Sequence, residues 1–348
     1  MPSRHDPAPL FEGAGRAVVG PGSGDPIYIG GLDRSGKTTM AAFLASHPNV
    51  AIPAVGSNMW TYFYRQYGDL RDDGNLDRCL DAMSRYKHVV FLKPDFDQIR
   101  VRFLAGERTY AQLFGLFLRQ YAEREGKPRW GAQTGLIERY APELFRSYGG
   151  LRVVHMVRDP RDRYEASLAL WPDGKGRAGG AVARWNYSNR LARANERRWP
   201  DRYRVVRFED LIRDTEATLR SVCEFLEEDF RPEMLEMRGA PRHRDRLLSS
   251  DGGDELLSDS YIGLHRDRID GFERAFIDLH AGRGMAERGY RRDPIQFSAG
   301  QWVRFIFGVW PDQTARMVAW RVAESLQQHL PGLVGRKPGR RMIVEPAA

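Results

Sequence analysis

The sequence predicts an α/β fold of three layers, a central parallel sheet with helices on both faces, followed by a C-terminal helical extension. Two apolar strands, 26–31 and 151–157, each run into a tight turn and then a helix. Further strands and helices alternate along the chain, the pattern of parallel strands joined by helical crossovers.

Each element has a local reason. Residues 1–25 are polar and rich in Pro and Gly, so they read as a disordered lead-in, and they lack the apolar stretch of a signal peptide. Residues 26–31 read as a buried strand ending in glycines. Helix 37–46 carries Met40, Phe43 and Leu44 on one face, and Pro48 stops it. Residues 89–92 (Val-Val-Phe-Leu) read as a short strand or a helix end. Residues 110–125 form a long helical pattern through Leu113, Phe114, Phe117, Leu118 and Tyr121. Residues 130–135 read as a loop. After strand 151–157, Asp159 can cap the next helix and Pro160 suits its first turn. The glycine-rich stretch 172–180 reads as a flexible loop suited to a moving lid. Helix 181–197, strand 203–208 and a helix from Thr215, with Leu219, Val222, Cys223 and Leu226 on one face, complete the series. Residues 302–310 are aromatic and apolar, 314–329 form an amphipathic helix pattern, and 335–341 are basic. The expected division is a lead-in (1–25), one α/β domain (26–290) and an extension (291–348).

Composition narrows the function. The 348 residues carry a formal net charge of +8, which favours anionic partners. The basic residues are dispersed rather than gathered in one stripe, which argues against nucleic acid. Cys79 and Cys223 stand far apart with no CxxC and no histidine cluster, so neither a disulfide scaffold nor a zinc site is expected, and a reducing, cytoplasmic setting fits. No apolar run approaches the ~20 residues needed to span a bilayer.

The two turns carry the chemistry. Gly31-x4-Gly36-Lys37-Thr38 satisfies the P-loop pattern, so the sheet is expected to be P-loop-containing. Its glycines let backbone N–H groups point inward, the following helix N-terminus adds partial positive charge, and Arg34 and Lys37 add full charges. The second turn, Arg158-Asp159-Pro160-Arg161-Asp162, places Arg158 at the C-terminal edge of the sheet, where ligands bind in open α/β folds. A guanidinium donates two parallel hydrogen bonds to phosphate. Arg158 can also be a structural ion-pair partner, the lesser alternative, and Arg161 and Arg163 read as solvated or structural rather than ligating.

These motifs together resemble the sulfotransferases that use 3′-phosphoadenosine 5′-phosphosulfate (PAPS), in their bacterial and Golgi-type form. Arg34-Ser35-Gly36-Lys37-Thr38, with Thr39 behind, is similar to their 5′-phosphosulfate loop. Arg158 to Asp162, then Ser167, is similar to their 3′-phosphate motif. Weaker similarities lie at Trp130–Thr134, Val206–Leu211 and Ile262–Arg266. The resemblance implies PAPS as donor, adenosine 3′,5′-bisphosphate (PAP) as product and no metal. It assigns the donor to Arg34, Ser35, Gly36, Lys37, Thr38, Thr39, Arg158 and Ser167, with Arg34 and Lys37 stabilising charge in transfer. Lys37 stands where the family has Thr. Ser167 lies one residue further from Arg158 than the family's spacing, which turns it by about 100° on a helix. The family's general base has no counterpart in 52–60. By position Asp33, Asp95, Glu138 and His155 are candidates, and each also has a plain role: turn residue, loop residue, helix surface charge and buried strand residue.

The implied acceptor is a hydroxyl compound, with a glycan, glycolipid, lipid or natural product as candidates. Residues 302–330 suit a peripheral membrane contact or an acceptor-side lid, or else a helix docked on the domain or on a second subunit. Two other readings compete: a Mg-ATP-dependent P-loop kinase or NTPase, favoured by Lys37-Thr38, and a non-catalytic member that binds PAPS or PAP, favoured by the missing base.

Overall fold

The computed structural model describes residues 24–168, 177–240, 259–329, 338–339 and 342–344. Strands β1 (Gly24–Gly31), β2 (Val50–Ala51), β3 (Arg129–Gln133), β4 (Arg152–Val157) and β5 (Tyr203–Arg207) form one sheet in the order β2-β3-β1-β4-β5. Every pairing in it is parallel. Around it lie α1 (Lys37–Ala45), α2 (Met59–Tyr62), α3 (Asp73–Ser84), α4 (Lys87–Val90), α5 (Phe96–Leu104), α6 (Tyr110–Arg124) and α7 (Ala141–Ser147). They are followed by α8 (Pro160–Leu168), α9 (Arg177–Arg198), α10 (Phe208–Arg213), α11 (Thr215–Leu226), α12 (His265–Arg268) and α13 (Gly271–Glu287). The extension supplies α14 (Ala299–Arg304) and α15 (Trp310–His329), joined by a π-helical turn, Phe305–Val309.

Strand alternation divides the core. Tyr28, Val153 and Tyr203 enter a cluster with Trp60, Phe114 and Leu144. Ile27, Ile29, Val154 and Met156 enter the opposite one, with Met40 and Phe43 of α1 and Leu219 and Val222 of α11. A third cluster joins α8, α9 and α13 through Tyr164, Trp185 and Phe276. Each fully buried ring such as Phe276 contributes about 2 kcal/mol. Helix starts follow their caps: Thr109 accepts from the Gln112 N–H at α6, and Asp214 from the Ala217 N–H at α11.

Three expectations are corrected and one alternative is decided. Most of 130–135 is not a loop but the strand β3, beside β1; the polar ends Arg129 and Gln133 disguise it. Arg129 is buried because its guanidinium bonds the Asp25 and Leu226 carbonyls and pairs with Glu228 at 2.8 Å. Of the two readings of residues 89–92, the structure takes the helix end, which closes α4, and not the strand. Gly24 and Asp25 belong to β1 rather than to the lead-in, the rest of which lies outside the described residues. Residues 177–180 are the first turn of α9, while 172–176 lie outside the described residues.

The extension docks on the domain. A Cβ at Gly179 would lie 2.0 Å from the Gln313 carbonyl oxygen, so only glycine admits α15 this close to α9. The Gly179 N–H donates to Gln313 Oε1 at 2.8 Å, Trp320 packs edge-on against Tyr187, and buried Glu324 pairs with Arg139. The outer face of this region exposes Phe307, Val318, Val322 and Leu326. Among the described residues, no helix is long and apolar enough to cross a membrane. Most of the basic stretch 335–341 lies outside the described residues.

Candidate active site

The register brings four segments together. Gly31 pairs with Met156, Ile29 with Gln133 and Val157 with Arg207, so the chain leaves β1, β3, β4 and β5 at one C-terminal edge.

In the first turn Gly31 (φ 107°), Arg34 (φ 66°) and Gly36 (φ 87°) are left-handed. At Gly36 glycine is required twice, by that φ and by crowding: a Cβ would lie 2.4 Å from Phe208 Cδ2. The Ser35 N–H donates to the Leu32 carbonyl, closing the turn. Lys37 and Thr39 are buried at the start of α1. No side chain caps α1 and no acid lies in its first turn. Its N–H groups and partial positive charge therefore face the concavity of the loop. Lys37 Nζ lies 3.3 Å from Asp33 Oδ1, and Thr38 Oγ1 donates to Gln133 Oε1 at 3.1 Å. The Asp33 carboxylate remains open to solvent. Lys37 above all, then Arg163 and Arg184, hold its pKa below the ordinary carboxylate value.

The second turn is fixed from below and from the side. The Arg158 guanidinium lies 4.6 Å over the Phe208 ring, the same ring that abuts Gly36. Its Nη1 donates to the Arg34 carbonyl (3.3 Å) and its Nη2 to the Tyr261 carbonyl (2.7 Å), while Nε is buried without a partner. Burial pushes its pKa down, and Asp162 and Glu209 work against that. Trp185 Nε1 donates to the Arg158 carbonyl at 2.9 Å. Glu209 accepts the Asp159 N–H and the Tyr290 hydroxyl, which ties β5 to the turn.

Arg161 and Arg163 are both buried, so neither is solvated. Arg161 is structural, pairing with Asp159, Asp278 and Asp293 at 2.7, 3.1 and 3.1 Å. Burial lowers the pKa of Arg163 to about 10 while Asp33 pulls it upward, and its Nε has no partner. Asp162 accepts the N–H groups of Gly263 and His265 and the His265 ring, which latches 261–266 beside Arg158. Ser167 turns its hydroxyl to the Tyr164 carbonyl, 2.7 Å away.

The four base candidates occupy different places. Asp33 sits at the mouth beside Lys37. Glu138 and His155 lie beneath the loop, where a Cβ at Gly30 would be 3.3 Å from His155 Nδ1 and 3.9 Å from Glu138 Oε2. Glu138 bonds Ser188 through Oε1, its Oε2 lies 3.8 Å from His155 Nδ1 without a hydrogen bond, and burial raises its pKa. His155 Nδ1 meets the Tyr203 hydroxyl at 2.8 Å, and burial lowers its pKa to about 3, so it is neutral at neutral pH. Asp95 is the N-cap of α5, accepting the Gln98 N–H, with its own N–H on Gln120 of α6.

Sequence reasoning did not single out Gln133, Phe208, Glu209, Asp162 or Trp185. The 206–211 similarity contained two of them. The 130–134 similarity contained Gln133 and the second turn contained Asp162, whereas Trp185 gave no local signal, because its partner Arg158 is remote in the chain.

A model of the sulfotransferase family matches residues 26–232. No curated protein sequence matches the chain. Among solved structures the chain is similar to the sulfotransferase domain from the Synechococcus PCC 7002 olefin synthase. The identity is 21%, the coverage 77% of this chain and 96% of that one, and the TM-score 0.52. It is also similar to sulfotransferase STF9 from Mycobacterium avium, with 16% identity, 79% of each chain covered and a TM-score of 0.45. The first of these supports the fold: a five-stranded parallel sheet with helices around it and a helical C-terminal region.

Proposed function

Because the chain belongs to the sulfotransferase family, we propose that it moves the sulfuryl group of PAPS to the hydroxyl of a glycan, glycolipid or secondary metabolite. One observation carries this reading: an anion cradle at the first turn and buried Arg158 at the second, both resting on the Phe208 ring. Residues 26–290 are the catalytic unit in this proposal and 291–348 the extension.

The donor supplies an activated sulfuryl group. The acceptor O–S bond forms as the S–O bond to the phosphate oxygen breaks, PAP departs, and the acceptor proton passes to a base. Lys37, Arg34 and the N–H groups of 35–38 stabilise charge on the oxygens of the transferring and leaving groups, with Thr38 and Thr39 hydroxyls assisting. Arg158 takes the 3′-phosphate, joined by Ser167 once its hydroxyl turns from Tyr164. Asp33 is the base we favour among the four, because its carboxylate is open to solvent beside Lys37. Asp33→Asn is expected to lower kcat by about 10²-fold or more. PAP affinity should hold or rise, since Lys37 loses a competing partner; unchanged turnover would remove Asp33 from the role.

Lys37 also suits a kinase, but the acid expected at the end of a neighbouring strand is committed: Glu209 serves Asp159 and Tyr290. Calorimetric titration of PAP and of ATP, each with and without Mg²⁺, separates the readings. Micromolar, metal-independent PAP binding that Arg158→Ala removes supports sulfuryl transfer. Tight Mg-ATP binding indifferent to Arg158 overturns it.

A further inference from the structure

A cleft of about 300 Å³ opens near the donor loop, lined by Thr61, Tyr64, Arg65, Tyr140, Tyr187 and Gln328 among others. Two short links join it to the first turn. Thr61 Oγ1 donates to the Gly135 carbonyl at 3.3 Å, and a Cβ at Gly135 would lie 3.2 Å from Lys37 Nζ. Tyr187 also stands one helical turn along α9 from Arg184, which acts on Asp33.

The walls are rings and amides. Tyr64 meets Tyr140 edge-on at 5.5 Å, and Gln66, Gln327 and Gln328 add hydrogen-bonding groups. No carboxylate lines the cleft among the described residues. Its two arginines differ. Arg139 lies near the Tyr140 and Tyr187 rings and is neutralised by Glu324. Arg65 has no carboxylate partner among the described residues. Of the three acids of the neighbouring concavity, Asp69 is taken by Arg71 at 2.7 Å and Glu143 by Arg146 at 2.6 Å, and Glu107 forms no ion pair with Arg65. Arg65 is exposed, and its left-handed backbone (φ 59°), uncommon for arginine, accompanies a guanidinium 5.1 Å from the centre of the Tyr64 ring.

We infer that this cleft takes the acceptor, and that the acceptor is a ring compound bearing an anionic group which Arg65 recognises. The inference rests on the sulfotransferase reading. A ring lies against tyrosine faces, its hydroxyl points toward Lys37 and Asp33, and a carboxylate, sulfate or phosphate at the other end meets the uncompensated cation. Without Arg65 an anionic acceptor would meet an anionic donor with nothing to offset the repulsion at that end.

The test uses the full chain loaded with PAP, which forms a dead-end complex, and calorimetry with 4-hydroxyphenylacetate, 4-hydroxyphenylacetamide and tyramine. Glucuronate against glucose forms a second arm that distinguishes a sugar acid from a phenolic acid. The anion of at least one arm is expected to bind about tenfold or more tighter than its neutral counterpart, and tyramine weakest of the phenols. Arg65→Asn, in which asparagine tolerates the left-handed backbone, should erase that preference while leaving PAP affinity and thermal midpoint unchanged. Equal affinities within both arms, no binding of any probe, or a preference that survives Arg65→Asn would overturn the inference while PAP binding stands. Failure of PAP itself to bind would instead remove the sulfotransferase reading, and the inference with it.

Discussion

The two strand-to-helix turns hold positive charge in opposite ways. The first does so mainly with backbone: left-handed glycines, an uncapped helix start and one lysine whose partner, Asp33, is open to water. The second buries three arginines within six residues, and each has a different fate. Arg161 is held by three carboxylates, Arg158 lies over an aromatic ring between two carbonyls, and Arg163 faces the first turn's aspartate. Residue type and spacing therefore do not assign a role here; the partner at the end of the side chain does.

Mutation can break that contrast. Arg161→Met strands Asp159 and Asp278 in a buried place and is expected to cost about 3–5 kcal/mol of stability, read as a fall in denaturant midpoint. PAP affinity of the folded fraction should stay unchanged; lost affinity would give Arg161 a part in binding. Arg158→Ala should do the reverse, weakening PAP by about 10- to 100-fold with little change in midpoint. Adenosine 5′-monophosphate, which lacks the 3′-phosphate, should bind wild type and variant alike.

Proton linkage sharpens the picture. Burial raises the Asp278 pKa from 3.8 to about 6, against the pull of Arg161. The folded form thus binds more protons than the unfolded form across that window, and Asp278 makes stability fall as pH rises through it. Asp278→Asn should remove that component from a stability–pH curve measured between pH 4 and 6.5; an unaltered curve would show that Asp278 is ionised throughout. The smallest effect belongs to Ser167→Ala. Because the Ser167 hydroxyl already has a partner in Tyr164, PAP affinity should drop no more than about fivefold, the worth of one hydrogen bond.

Legibility in the sequence follows the same division. The first turn is readable because the features that announce it are contiguous: an apolar strand, spaced glycines, Lys37 and a helical face. The β3 strand is not, because Arg129 is made buriable by Glu228, far along the chain. The roles of the second turn depend on Phe208, Tyr261, Asp278 and Asp293, which no local pattern ties to Arg158 or Arg161. The latch of Asp162 on 263–265 shows the same thing: a similarity at 262–266 drew notice, but the carboxylate that holds it lies a hundred residues earlier. Contiguous chemistry was legible; chemistry assembled by folding was not.

Phe208 has a consequence of its own. One face of its ring supports Arg158, and its edge lies where a Cβ on Gly36 would go. An aromatic ring is incompressible, so it acts as a gauge block between the two cationic turns. On the proposed sulfotransferase reading, the donor is then read as a length: it fits when its two charged ends are separated by the width this ring imposes, and a thinner or thicker side chain at 208 would recalibrate that measurement without touching either end.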